Sequence, residues 1–156
     1  MSSNPGMEQL GIGAQPIGAF LLMYNPATNS YEIQRTPTKY KTALVTASGN
    51  TAIWTPSAGK KFRLLGYVAQ VTGNSILGTA AVVDCDFREG NTSIGHAFSA
   101  FIPLLSLGSL GGAPPIPYNF PGNGYLATTA DAVLNLNLSS ALTGGGIRVS
   151  VFGTEE

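Results

Sequence analysis

Two short runs near the C-terminal end alternate strictly between apolar and polar positions. Residues 133–138 read Val-Leu-Asn-Leu-Asn-Leu, which sets Leu134, Leu136 and Leu138 on one side of an extended chain and Asn135 and Asn137 on the other. Residues 147–151 repeat the period with Ile147, Val149 and Val151. A period of two marks a half-buried strand, because successive side chains leave a strand on opposite faces. Gly144, Gly145 and Gly146 separate the two runs, so the pattern predicts a hairpin between them.

The upstream pattern is also one of strands. Residues 62–72 predict a long strand between Gly59 and a Gly73-Asn74 turn, with Gly66 marking a bulge or a close backbone approach. Residues 76–87 are expected to pair back across that turn. Residues 42–47 and 51–54 flank the turn signal Ser48-Gly49-Asn50, and 94–102 and 125–129 are further candidates. No stretch keeps a helical period for ten residues, and a parallel sheet would need crossover helices. The expectation is an all-β chain: an antiparallel, jelly-roll-like β-sandwich of about eight strands. Residues 42–156 form that domain and residues 1–41 an N-terminal arm. Within the arm, 20–24 and 31–34 flank a longer turn and predict a hairpin. An isolated hairpin is marginal in water, so it must rest on the domain or on a neighbouring subunit. Residues 103–123 are too rich in Pro and Gly for a long regular element. Leu104, Leu105, Leu107, Leu110, Ile116, Tyr118 and Phe120 there predict an ordered loop under apolar cover.

Charge changes this picture more than composition does. Lys and Arg total eight, Asp and Glu eight, with one His and one Cys in 156 residues, and residues 90–130 carry no charge at all. A zero balance excludes the basic excess of a nucleic-acid binder. The nearest approach to one is Lys60, Lys61 and Arg63, with Lys39 and Lys41 before them, which reads as a solvated strand edge that discourages aggregation. The uncharged stretch 97–116 is long enough for a bilayer, but Pro103, Pro114 and Pro115 with Gly108, Gly111 and Gly112 break any helix there, so no membrane span is expected. Glu8 is the sole charge before the apolar stretch 18–24, which does not make a secretory leader. Cys85 has no partner for an internal disulfide.

The candidate chemistry fails on its company. Asp84 and Asp86 share a strand face, yet a calcium loop starting at Asp84 would need Gly where Glu89 stands and Glu where Gly95 stands. A solvated strand end, or a pair with Arg88, is the expected state. His96 with Asp131 or Asp84 and a serine would make a triad, but no nucleophile elbow accompanies it. Gly59-Lys60 lacks the earlier glycine of a phosphate loop, since Trp54 stands there. Trp54 is expected to close the core at a strand end, the alternative being an exposed sugar platform. No catalytic residue, cofactor-binding residue or metal ligand is therefore assigned, and no enzyme is expected.

Residues 54–67, Trp-Thr-Pro-Ser-Ala-Gly-Lys-Lys-Phe-Arg-Leu-Leu-Gly-Tyr, resemble an opening segment of small structural proteins of tailed bacteriophages. The strand ending at Asp84, Gly122-Asn123-Gly124-Tyr125, Leu134–Ser139 and the ending Val149–Glu156 fit the same resemblance, which covers 42–156 and leaves the arm outside. It implies a jelly-roll head decoration (cement) protein on the outer surface of the virion, self-associating with a trimer favoured, bound to the major capsid protein and carrying no catalytic residues. A tail or baseplate module that binds a receptor or glycan is the alternative. Low charge agrees with surfaces meant to be covered by protein.

Overall fold

In the computed structural model the two alternating runs become strands of different sheets. Residues 22–25, 29–73, 81–102, 114–142 and 145–156 are described. The elements in chain order are β1 (Leu22–Asn25), β2 (Ser30–Ile33), β3 (Lys39–Val45), β4 (Gly49–Trp54), β5 (Phe62–Gly73), β6 (Ala81–Glu89), β7 (Thr92–Ile102), β8 (Ile116–Asn119), β9 (Tyr125–Leu126), β10 (Leu134–Leu138) and β11 (Gly145–Glu155). One sheet runs β4-β10-β6-β7 and the other β3-β11-β5-β8, with the short β9 also on β5; β1 and β2 pair only with each other. All the pairings are antiparallel.

Set aside the hairpin and β9, and eight strands remain. Counted along the chain, the first, last, third and sixth make one sheet, and the second, seventh, fourth and fifth make the other. That interleaving is the jelly roll, which hides most sheet edges by folding two Greek keys over one core. The expected fold class holds.

The core explains the alternation. Leu134, Leu136 and Leu138 from β10 face Ile147, Val149 and Val151 from β11, all fully buried with Trp54, Phe62, Leu64, Tyr67 and Phe87. Each large side chain so buried contributes roughly 1.5–3 kcal/mol of transfer free energy. Gly66 serves both expected purposes. The β5–β11 register shifts beside it, between Phe152 and Gly153, and a Cβ on Gly66 would collide with the Phe152 ring and the Tyr118 carbonyl oxygen.

Several expectations need correction. β10 and β11 are not a hairpin: β10 pairs with β4 and β6, and β11 with β3 and β5. Likewise β6 pairs with β7 and β10, not with β5. In a jelly roll the connection crosses between sheets, so a glycine-rich gap between two strands does not make them neighbours. Asn74, the start of the run 76–87 and residues 103–113 lie outside the described residues, as do residues 1–21 of the arm. Within 114–123, a strand replaces the expected loop: β8 pairs with β5 from Ile116 to Asn119. Pro117 is tolerated because β8 ends its sheet, where a missing amide breaks no ladder. The run 125–129 shortens to Tyr125–Leu126.

The β1–β2 hairpin forms as expected. Asn29 takes a left-handed φ of 51° in its turn, and the Tyr24 hydroxyl donates to Asn29 Oδ1 at 2.6 Å. It rests on its own domain: Asn123 Nδ2 donates to Glu32 Oε2 at 2.8 Å and to the Ile33 carbonyl at 3.1 Å. The segment 34–38 then straps across to β3, whose first residue is Lys39.

Candidate functional site

Four features of the sandwich are chemically distinct: an aromatic cluster at one open side, an ionic knot at the C-terminus and the two outer sheet faces. β7 and β8 end their respective sheets without pairing to each other. Side chains close that gap. His96 and Phe98 of β7 meet Tyr118 of β8, Phe120, and Tyr67 and Phe87 from the core; the His96 and Tyr118 ring centroids are 4.1 Å apart. His96 Nε2 is hydrogen-bonded to the Tyr67 hydroxyl at 2.8 Å. Burial lowers the His96 pKa against the opposing pull of Asp86, so the imidazole is neutral near pH 7. Burial, with smaller contributions from Tyr118 and Cys85, pushes Tyr67 up to about 12.

The triad is therefore not assembled around His96. Asp131 accepts from the Gly59 amide at 2.6 Å, and Asp84 accepts from Ser99 Oγ at 2.6 Å on the outer face of β6. Cys85 is buried, and burial, with the charge of Asp84, pushes its thiol up to about 12. Such a thiol is a packing group. Among the described residues no three His, Cys, Asp or Glu side chains gather as a metal site, and Asp86 pairs with Arg88 at 2.9 Å. No described helix is long and apolar enough to cross a membrane.

The basic cluster was expected to be solvated, and Arg63 is not. It is buried, its Nε and Nη2 reach Glu156 Oε1 and Oε2 at 2.6 and 3.2 Å, and its Nη1 donates to the Asn123 carbonyl at 3.1 Å. Arg35 of the strap joins the same carboxylate at 2.9 Å. Beside them Trp54 Nε1 donates to Glu155 Oε1 at 3.0 Å, and Lys39 approaches Glu155 at 3.5 Å. Trp54 is buried, so it closes the core as expected and offers no sugar platform. Glu89 is a second held carboxylate. Burial works to raise its pKa, but donors from Thr128, Tyr125 and Thr129 outweigh that and bring it down to about 2.

Among the described residues, the outer face of the four-stranded sheet is mostly polar, with the exposed Val82 as an exception, and much of it is hydrogen-bonded within itself. Asn137 donates to Asn50 at 2.7 Å, Asn50 to the Gly90 carbonyl at 3.1 Å, and Asn135 to the same carbonyl at 2.7 Å. Ser93 donates to Asp86 at 2.7 Å.

The outer face of the five-stranded sheet differs. Register sets Tyr40, Phe152 and Gly66 in one row, Thr42, Ser150, Val68 and Pro117 in the next, and Leu44, Arg148 and Gln70 in a third. Tyr40 is 70% exposed and Leu44 52%, with Val68 and Arg148 also open to solvent. At one end the row runs into a cavity of about 320 Å3 between strap residues Gln34, Arg35 and Pro37 and sheet-side residues Leu65, Phe120 and Phe152. This face was missed in the sequence, although Tyr40-Lys41-Thr42-Ala43-Leu44 alternates: both sides of the alternation are semi-apolar, so it did not declare which side faces water.

No family model, curated protein or solved structure matches the chain. The surface itself must carry the functional reading.

Proposed function

We propose that this chain is a non-enzymatic structural protein of a tailed-bacteriophage virion, a head decoration protein that self-associates, as a trimer, and binds the major capsid lattice from outside. The carrying observation is the apolar, sparsely charged outer face of β3, β11, β5 and β8, on a body whose opposite face hydrogen-bonds Asn50, Asn135 and Asn137 within itself. An exposed sheet face with aromatic and aliphatic side chains suits burial against protein. The sequence resemblance of 42–156 points the same way. The jelly roll agrees with the reading without deciding it, since lectins and cupins share it.

The exposed Tyr24 and Tyr31 of the hairpin, ring centroids 5.5 Å apart, favour the alternative of a tail module that binds glycans. Light scattering on the purified protein and cryo-electron microscopy of particles separate the readings. A trimer with density on the outer head surface is expected, and removing residues 1–33, which spares β3, weakens attachment. A monomer confined to the tail and binding envelope sugars would overturn the proposal.

A further inference from the structure

The charged groups of the described residues are unevenly engaged. Of the eight acids in the chain, every one except Glu8, which lies outside the described residues, accepts a hydrogen bond or an ion pair. Among the cations, Arg35, Lys39, Arg63 and Arg88 are paired with carboxylates and Lys61 donates to the Thr128 carbonyl. Lys41, Lys60 and Arg148 have no such side-chain partner among the described residues; Lys41 lies in register with the inward Val151 and Lys60 lies before β5, whereas Arg148 stands on the outer face of the central strand β11, between Leu44 and Gln70 in register. A lone guanidinium in a field of Tyr40, Phe152, Leu44 and Val68 has the composition of an interface hot spot, where Tyr and Arg dominate the binding energy.

The geometry points to a different protein as the occupant of this face: a surface that presents a carboxylate to Arg148 within an apolar surround. We infer this on the reading of the chain as a shell-binding protein, and it names the docking face and the chemistry of its partner. A second copy fits less well. Face-to-face pairing about a two-fold axis would bring Arg148 toward its own image, a like-charge contact. The opposite face, which bears Asp84 and Asp86, is hydrogen-bonded within itself, and among its described side chains Val82 is the one large apolar group exposed to meet Tyr40 and Leu44. A partner carboxylate, desolvated as the apolar groups close, could form a bidentate pair with the guanidinium.

The test uses the full chain and empty heads of the encoding phage assembled without it. Wild type, Arg148→Glu, Arg148→Lys, Leu44→Ser and, as a control on the opposite face, Asn137→Ala are compared for head binding, oligomer mass and circular dichroism. Arg148→Glu and Leu44→Ser are expected to fold, to keep the wild-type oligomer and to bind heads more weakly, Arg148→Glu by about thirtyfold or more. Arg148→Lys should recover part of the loss, and Asn137→Ala should bind as wild type. Equal binding by Arg148→Glu and wild type overturns the inference and leaves the shell-binding reading standing; wild type that ignores heads overturns both. Face variants that change the oligomer mass would assign the face to a second copy. A deletion of residues 1–21 that deprotects Tyr40 in the free protein would assign it to the chain's own N-terminus. Either result contradicts the inference.

Discussion

On the four-stranded sheet, Asn50, Asn135 and Asn137 direct their amides to one another and to the Gly90 carbonyl; on the five-stranded sheet, Tyr40, Leu44 and Phe152 look outward around Arg148, which has no carboxylate partner among the described residues. Both faces belong to one jelly roll and share one core. The difference lies in where polar capacity ends. Donors and acceptors satisfied within a face give a partner little to gain, because any contact must first replace existing hydrogen bonds. An apolar face with one unsatisfied charge gains from being covered. Removing an outward polar side chain on the first face should therefore cost stability, whereas replacing the outward side chains Tyr40, Leu44 or Arg148 on the second should cost binding.

The comparison breaks most severely at Gly66. A side chain there must displace the Phe152 ring that floors the apolar face and the Tyr118 carbonyl that ties β8 to β5. Gly66→Val is expected to cost about 3 kcal/mol, measured as a lower urea midpoint, and to loosen the aromatic cluster around His96.

Next in size is Glu89, at the end of β6 in the self-satisfied sheet. Glu89→Gln should cost about 2 kcal/mol at pH 7, because Thr128, Thr129 and Tyr125 lose a charged acceptor. The sign of its pH dependence follows from the depressed pKa. The contribution is complete above the ordinary carboxylate value of 4.5 and is lost as pH falls toward about 2. Wild type and variant should therefore converge in stability across that window, read by denaturant titration at several pH values. A constant gap would contradict the assignment.

Two smaller effects sharpen the contrast directly. Asn137→Ala removes the donor to Asn50 and should cost about 0.5–1 kcal/mol. Tyr40→Thr, which replaces one strand-favouring residue on β3 with another, should change stability by less than about 0.5 kcal/mol, because the Tyr40 ring is largely in water. Equal costs for the two substitutions would erase the distinction between the faces.

What was legible in the sequence was each strand's own inside and outside. Leu134, Leu136 and Leu138, and Ile147, Val149 and Val151, are buried as their period required, because alternation reports burial of one face whichever strand lies beside it. Neighbours were not legible. Short glycine-bearing gaps suggested that β10 pairs with β11 and that β5 pairs with β6, whereas each of these connections crosses from one sheet to the other. β8 was hidden by Pro117 and its Pro-rich surroundings, which only an end strand accommodates. Trp54 and Gly66 read correctly, since a bulky core closer and a side-chain-free backbone site are local necessities. Arg63 did not: its partner Glu156 lies 93 residues away in the sequence, and nothing near Arg63 distinguishes it from its neighbours Lys60 and Lys61. The candidate face was equally obscure, being defined by register among β3, β11, β5 and β8.

The most direct measurement is hydroxyl-radical footprinting of the protein free and bound to empty heads. Tyr40, Leu44 and Phe152 should become protected on binding, while Val82, exposed on the opposite sheet, keeps its reactivity. Protection of Val82 with Tyr40, Leu44 and Phe152 unchanged would contradict the account.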